Sequence, residues 1–294
     1  GPALAVTSAY LPGVEIGPFF IPEVHSAENY LGTEEWLRRL GLDVAPENLI
    51  LLPDPLSLDA QDLCCQLENA FPGVIQLGGL ASGGNRAGEH ALFLGDKVYR
   101  TGTIGLSLNG NVVMDTVVAQ GCHAVGPPLF VTRAESHILF ELDGRPALSV
   151  LEEVCRRLSP ADLELAQRSL FLGLVMEPDR ESYGGGDFLI RNLLGAMSEV
   201  QALAVGAQLD GQSVVQFHVR DARASWADLD HLLEVQRDQR PPPAGALMFS
   251  CLGRGRHLYG EEGHDSRLVE HHLGALPIGG FFCNGEIGPV GGKT

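Results

Sequence analysis

Basic residues are scarce. Lysine and arginine together number 20 against 37 aspartates and glutamates, for a formal net charge of -17 and a pI near 4.9. Affinity for a phosphate backbone comes from clustered Lys and Arg, so this balance argues against nucleic-acid binding and for solubility. No apolar run is long enough to span a bilayer. No basic stretch leads into an apolar one at the start, so no secretory signal is visible. Cysteine is thin as well. Cys64, Cys65, Cys122, Cys155, Cys251 and Cys283 are scattered without a C-x-x-C pair, which excludes a disulfide scaffold and fits free thiols in a reducing cytoplasm. No H-E-x-x-H or Cys–His spacing is present, so neither a metal nor a cofactor is expected. The terminal GGKT lacks the earlier glycine of a phosphate loop, because Ile287 stands there, and GGLASGG lacks the G-x-G-x-x-G order.

What is there is an ordinary globular composition, 45% apolar and 19% charged, in 294 residues. That length holds one large domain or two lobes with a substantial core. The chain is organised around residues 274–292, GALPIGGFFCNGEIGPVGG. A run of apolar residues bounded by Gly and Pro reads as a buried strand, and Cys283, Asn284 and Glu286 follow it. Gly285, Gly288, Gly291 and Gly292 then permit close approach to another backbone or a ligand.

Upstream, alternation predicts strands over residues 3–11 and 14–21, and helical spacing predicts a helix over 27–40 stopped by Gly41. Residues 48–52 read as a strand opening into Pro53-Asp54-Pro55, then a helix over 59–71, a strand over 74–77 and the loop 78–84. Short strands flank the turn Gly95-Asp96, and another covers 103–108. Asn109-Gly110 predicts a two-residue hairpin into a strand over 112–118. Residues 121–221 read as α plus β, with a helix over 147–158 and a second one capped by Ser159 with Pro160 at its first position. Strands are predicted at 171–176, 187–194, 202–205 and 212–219, with a mobile loop around 183–186. An amphipathic helix follows over 222–238, then a Pro-rich break. Last come a strand at 246–249, a helix at 264–273 and a strand at 278–282.

Two passages therefore run strand, polar loop, helix, Pro, strand, glycine loop, and FPGVIQLGGLASGG sets beside ALPIGGFFCNGEIG. This predicts an internal duplication, two lobes of mixed sheet flanked by helices, α+β in class, with duplicated β-α-β units in αββα-like layers. The chain opens almost inside a strand, and the first copy continues into a hairpin where the second stops at Lys293-Thr294, so missing segments are expected at both ends.

Ligands of open α/β sheets sit beyond the carboxyl ends of strands. Four such ends are Asp54, Ser82, Cys251 with Arg254, and Cys283 with Asn284 and Glu286. The backbone of Gly79, Ser82 and Gly83 offers N–H groups suited to a carboxylate. Arg254 and Arg256 add fork-shaped donors. A thiol nucleophile at Cys251 or Cys283 needs a base, and no spacing ties His218, His257 or His264 to either, so no catalytic residue and no enzyme are expected.

The strings VIQLGGLASGG, VAQGCHAVGPP, VTRAESHILFELDGRPALSVL, GDFLIRNLLG, VQFHVRDA and FFCNGEIGPVGG cover most of the chain and together resemble a FIST domain. The resemblance divides the chain into an N-terminal-like domain over 1–120, its start missing, and a C-terminal-like domain over 121–294, its last strand missing. It implies a bacterial, cytoplasmic, small-ligand-binding input domain of signal transduction, with amino acids as candidate ligands, acting with a separate output protein. It carries no catalytic residues. Asn284, Glu286, Arg254, Cys251, Cys283, Gly79, Ser82 and Gly83 are the expected ligand contacts, with Glu286 on an amino group and Arg254 on a carboxylate. The alternatives are a protein-interaction adaptor, as in F-box relatives of the family, and a cysteine-dependent enzyme.

Overall fold

The structure, a computed structural model, describes residues 4–22, 31–177, 182–184, 186–209 and 213–290. The chain divides into two compact units, Gly1–Val118 with Leu233–Thr294, and Ala119–Leu232.

The first unit opens with β1 (Val14–Ile21), α1 (Thr33–Leu40), β2 (Asn48–Pro53), α2 (Ala60–Ala70) and β3 (Ile75–Gly79). The hairpin β4 (Leu92–Leu94) and β5 (Lys97–Tyr99) precedes β6 (Thr103–Gly110). α1 buries Trp36 and Leu40, keeps Glu34 and Glu35 at its positive end and Arg38 and Arg39 at its negative end, and stops at Gly41 with φ 66°. α2 starts where the Asp59 carboxylate accepts from the N–H groups of Gln61 and Asp62. It lays Leu63, Leu67 and Ala70 into a core with Leu49, Leu51, Phe19 and Ile21. β2 and β3 are parallel, and β6 lies antiparallel between β1 and β2.

The second unit holds β7 (Cys122–Glu135), β8 (Ile138–Leu142), β9 (Arg145–Pro146), α3 (Ala147–Arg157), α4 (Pro160–Arg168), β10 (Leu170–Val175), β11 (Phe188–Met197), β12 (Ala202–Val205) and β13 (Val214–Arg220). Its sheet runs β12-β11-β10-β13-β7-β8-β9, and β12 also pairs with β8, which curls the sheet into a closed barrel. Leu139, Leu142, Leu172, Val215 and Phe217 fill it, and α3 packs Leu148, Val150 and Val154 against the same core. Ser159 caps α4 through the Asp162 N–H with Pro160 just inside, as its residues predict. α5 (Ala222–Gln239) leaves this unit, and from Leu233 its residues belong to the first.

There the chain adds β14 (Ala246–Cys251), the short α6 (Arg256–Tyr259), α7 (His264–Leu273), β15 (Ile278–Cys283) and β16 (Glu286–Ile287). β14 and β15 pair in parallel, and β16 adds antiparallel to β3, giving the order β1-β6-β2-β3-β16. The fold is α+β with sheets of mixed direction flanked by helices. Both strand–helix–strand passages lie in the first unit and share a backbone detail. Gly78 (φ 152°) and Gly280 (φ 133°) each sit where a Cβ would drive into the partner strand's carbonyl, of Leu51 and of Met248 respectively.

Two expected strands are absent. Residues 4–11 form none, and Leu4 and Tyr10 stand 88% and 90% exposed, because no sheet edge pairs with their alternating pattern. Asn109-Gly110 makes no hairpin. Asn109 instead accepts from the Glu47 N–H at 2.7 Å and donates to the Ala45 carbonyl, and residues 111–121 run without a strand. The helix expected from residue 27 begins at Thr33 among the described residues. Residues 27–30, Gly185, Gln212, Gly291 and Gly292 lie outside them.

Candidate functional site

The carboxyl end of β2 delivers Asp54 into a fully buried position. Its N–H donates to the Gly102 carbonyl at 2.8 Å, and its Oδ1 lies 2.7 Å from Nδ1 of the buried His90. The other ring nitrogen, Nε2, accepts from the Gly84 N–H at 3.2 Å. That bond fixes the neutral tautomer with the proton on Nδ1, so His90 donates to Asp54. His90 thus ties the end of the glycine loop to the end of β2. Oδ2 of Asp54 is buried with no partner among the described residues.

The loop after β3 spends most of its N–H groups inside the protein. Leu80 donates to the Gly285 carbonyl at 2.9 Å and Ala81 to the Pro53 carbonyl at 2.8 Å. Asn85 and Arg86 both donate to the Glu89 carboxylate, which fills the anion-binding turn that glycine-rich sequence suggests. The N–H groups of Ser82 and Gly83 have no partner among the described residues, and space around Gly83 is open.

At the second copy, Cys251 and Cys283 are direct neighbours across the parallel pair β14–β15. Cys283 is fully buried, and burial first, then the Glu286 charge, pushes its thiol up to about 12. It is a protonated, inert group at neutral pH. Arg254, 6% exposed, bonds Asp265 through Nε at 2.7 Å and Nη2 at 3.2 Å. Burial works to raise the Asp265 carboxyl, and the Arg254 fork outweighs it, holding the group below the usual range. His264 adds Nδ1 at 3.3 Å from the same carboxylate and stacks on Tyr259 at 3.7 Å.

The two copies interlock at their loops. Asn284 N–H donates to the Leu80 carbonyl at 3.0 Å, and the Ser82 hydroxyl donates to the Phe282 carbonyl at 2.5 Å. Glu286 and Gly79 are paired residues of β16 and β3. Gly79, Ser82, Cys283, Asn284 and Glu286 therefore come together, with Asn284 and Glu286 exposed and Gly83 at the rim. Arg254 is committed elsewhere: its guanidinium is engaged by Asp265 rather than presented to a ligand. Among the described residues no group of three or more His, Cys, Asp or Glu could hold a metal ion.

Sequence reasoning missed His90, Glu89 and Asp265. Each acts through a partner on a different element or at the far end of a loop, and no residue spacing encodes that. The one usable signal is the buried-strand ending Pro53-Asp54-Pro55, an acid where the chain leaves the sheet. A second case is His123, whose ring nitrogens lie 3.2 Å from Asp162 and 2.9 Å from Asp221.

A family model described as FIST N domain matches residues 3–145, and one described as FIST C domain matches residues 147–289. A Mycobacterium tuberculosis strain H37Rv protein, described as uncharacterised, is 39% identical over 294 residues, 100% of this chain and 75% of the relative. A Mycobacterium bovis protein, also described as uncharacterised, is 39% identical over 248 residues, 83% of this chain and 64% of its own length.

Proposed function

Since the chain belongs to the FIST family, whose domains are sensory modules of signal transduction, we propose that it is a cytoplasmic, bacterial input domain that binds a small molecule and signals through a separate partner. Among the described residues no helix is long and apolar enough to cross a membrane. The observation that carries the reading is the meeting of the two glycine loops. The carboxyl ends of two parallel strand pairs are brought side by side by the Leu80 bonds to Asn284 and Gly285, which is where open sheets hold ligands. Asn284 and Glu286 supply exposed polar groups there, and the N–H groups of Ser82 and Gly83 supply donors. An amino acid suits that mixture of charges. The buried, protonated Cys283 supports a role without thiol chemistry. The test is a thermal-shift panel of amino acids and related small acids and amines on the full-length protein. A stabilising shift with a subset is expected, and no shift with any member overturns the reading.

One observation favours an adaptor instead. Leu247, Leu252, Phe281 and Phe282, on or next to β14 and β15, stand 37–49% exposed, and parallel strands are ordinarily covered on both faces. Under that reading the panel gives no shift, and substituting Phe281 and Phe282 by serine abolishes association with a partner while leaving the fold intact.

A further inference from the structure

The Asp54–His90 pair holds one mismatch in an otherwise matched network. Asp54 N–H goes to Gly102, its carbonyl accepts from Ser57, and Oδ1 accepts from His90. His90 in turn accepts from Gly84 at Nε2 and from Arg100 at its carbonyl. Only Oδ2 of Asp54 is left, at 0% exposure. Buried polar atoms almost always have a partner, so whatever belongs at Oδ2 is a hydrogen-bond donor that no described residue provides. The charge points the same way. With the Gly84 N–H donating to Nε2 of His90, no cation among the described residues bonds the carboxylate. Arg100 is turned to the His90 carbonyl, and the neighbouring Glu89 is itself an anion bonded to backbone N–H groups. A buried carboxylate is tolerated when a cation with N–H groups meets it.

Resting on the small-ligand reading above, we propose that Asp54 is the anchor for the protonated primary amine of the ligand, and that the segment from Ser82 to His90 covers it. The exposed Glu286, expected from sequence to take the amine, gains little from such a contact because solvent screens it. The buried Asp54 gains more, since charge-assisted bonds strengthen away from water. The open space at Gly83 and the N–H groups of Ser82 and Gly83 lie on the same loop, one residue before the Gly84 N–H that holds His90. A ligand entering there displaces no packed side chain at Gly83.

The experiment is calorimetric titration of the full-length protein at pH 7 with methylamine, putrescine and amino acids, each binder also as its N-acetyl analogue, and with simple carboxylic acids. The expected result is binding of amines, loss of binding on acetylation, and weakening on the order of ten- to a hundredfold in Asp54→Asn. Glu34→Gln, an exposed carboxylate on α1, stays within about threefold. Asp54→Asn keeps the His90 bond through its amide oxygen and removes an uncompensated charge, so its unliganded Tm is equal or higher. Equal affinity in Asp54→Asn, or equal binding of the acetylated analogue, overturns the assignment of Asp54 and leaves the ligand-binding reading standing. Binding of carboxylic acids alone does the same, with a buried water only at Oδ2. Binding of nothing by the wild-type protein overturns both. Should Asp54→Asn fail to fold, the 13C carboxyl resonance of Asp54 in the wild type decides: it shifts on adding amine, and an unmoved resonance sinks the proposal.

Discussion

Gly79 and Cys283 meet without room between them. A Cβ built on Gly79 would lie 2.9 Å from Cys283 Cβ, 3.2 Å from its sulphur and 3.1 Å from the Phe249 ring. The contact sits where β3, β15 and β16 converge, so the glycine there is required for packing. The Gly79–Ser82 stretch therefore joins the two copies as much as it lines a site.

Gly79→Ala is expected to cost about 1–3 kcal/mol through overpacking. Gly195→Ala, where a Cβ would meet no atom within 4 Å, is expected to stay within about 0.5 kcal/mol. Chemical denaturation of both variants checks the contrast; equal effects refute the packing argument.

Cys283 is expected to resist alkylation. With its thiol pushed up to about 12 by burial and by the Glu286 charge, almost no thiolate exists at pH 8. The exposed Cys65 reacts first with iodoacetamide. Peptide mass spectrometry over a time course reads the order, and early modification of Cys283 in folded protein contradicts it.

Removing one partner of the Arg254–Asp265 pair leaves a buried charge uncompensated. Arg254→Ala is expected to lose about 3–5 kcal/mol. Asp265 has a depressed folded pKa, so its contribution is present above the unfolded carboxylate value near 4 and is lost as pH falls below it. Asp265→Asn lowers stability at pH 7 and flattens the acid limb of a Tm–pH profile. A limb as steep as in the wild type rejects the assignment.

His218 gives the opposite kind of titration. Burial lowers its pKa, against the pull of the Gln216 carbonyl that accepts from Nδ1 at 3.0 Å. The unfolded chain therefore binds the proton more readily than the folded one. Stability is full above the ordinary histidine value near 6.5 and falls as pH drops below it toward the lowered folded value. His218→Gln is expected to lose that slope below about pH 6.5, read by Tm across the acid range.

Much of the architecture was legible in the residues. Ser159-Pro160 announced α4, the helix read over 59–71 is α2, and the repeated strand–helix–strand pattern appears as two parallel strand pairs, both in the first compact unit. Local chemistry decides these features, so local sequence reports them. The failures were of pairing. Residues 4–11 alternate like a strand and lack an edge, and Asn109-Gly110 reads as a hairpin while Asn109 is tied to Ala45 and Glu47. The site followed the same division. Gly79, Ser82, Cys283 and Asn284, singled out because glycine-flanked strand ends are visible in a string, lie together in the structure. The pairing of Arg254 with Asp265 was not legible, because Asp265 begins a helix whose direction the string does not reveal. His90 was missed because its only signal is the acid it meets at Asp54.

The sheet that begins with β1 is completed by β16, which pairs Glu286 and Ile287 with Gly79 and Gly78, while Ala119–Leu232 forms a compact unit from one uninterrupted stretch. On the ribosome that inserted stretch emerges whole and can close its barrel early. The edge of β3 waits, unpaired, until Glu286 and Ile287 are made, and over that interval it is open to mispairing with other nascent chains.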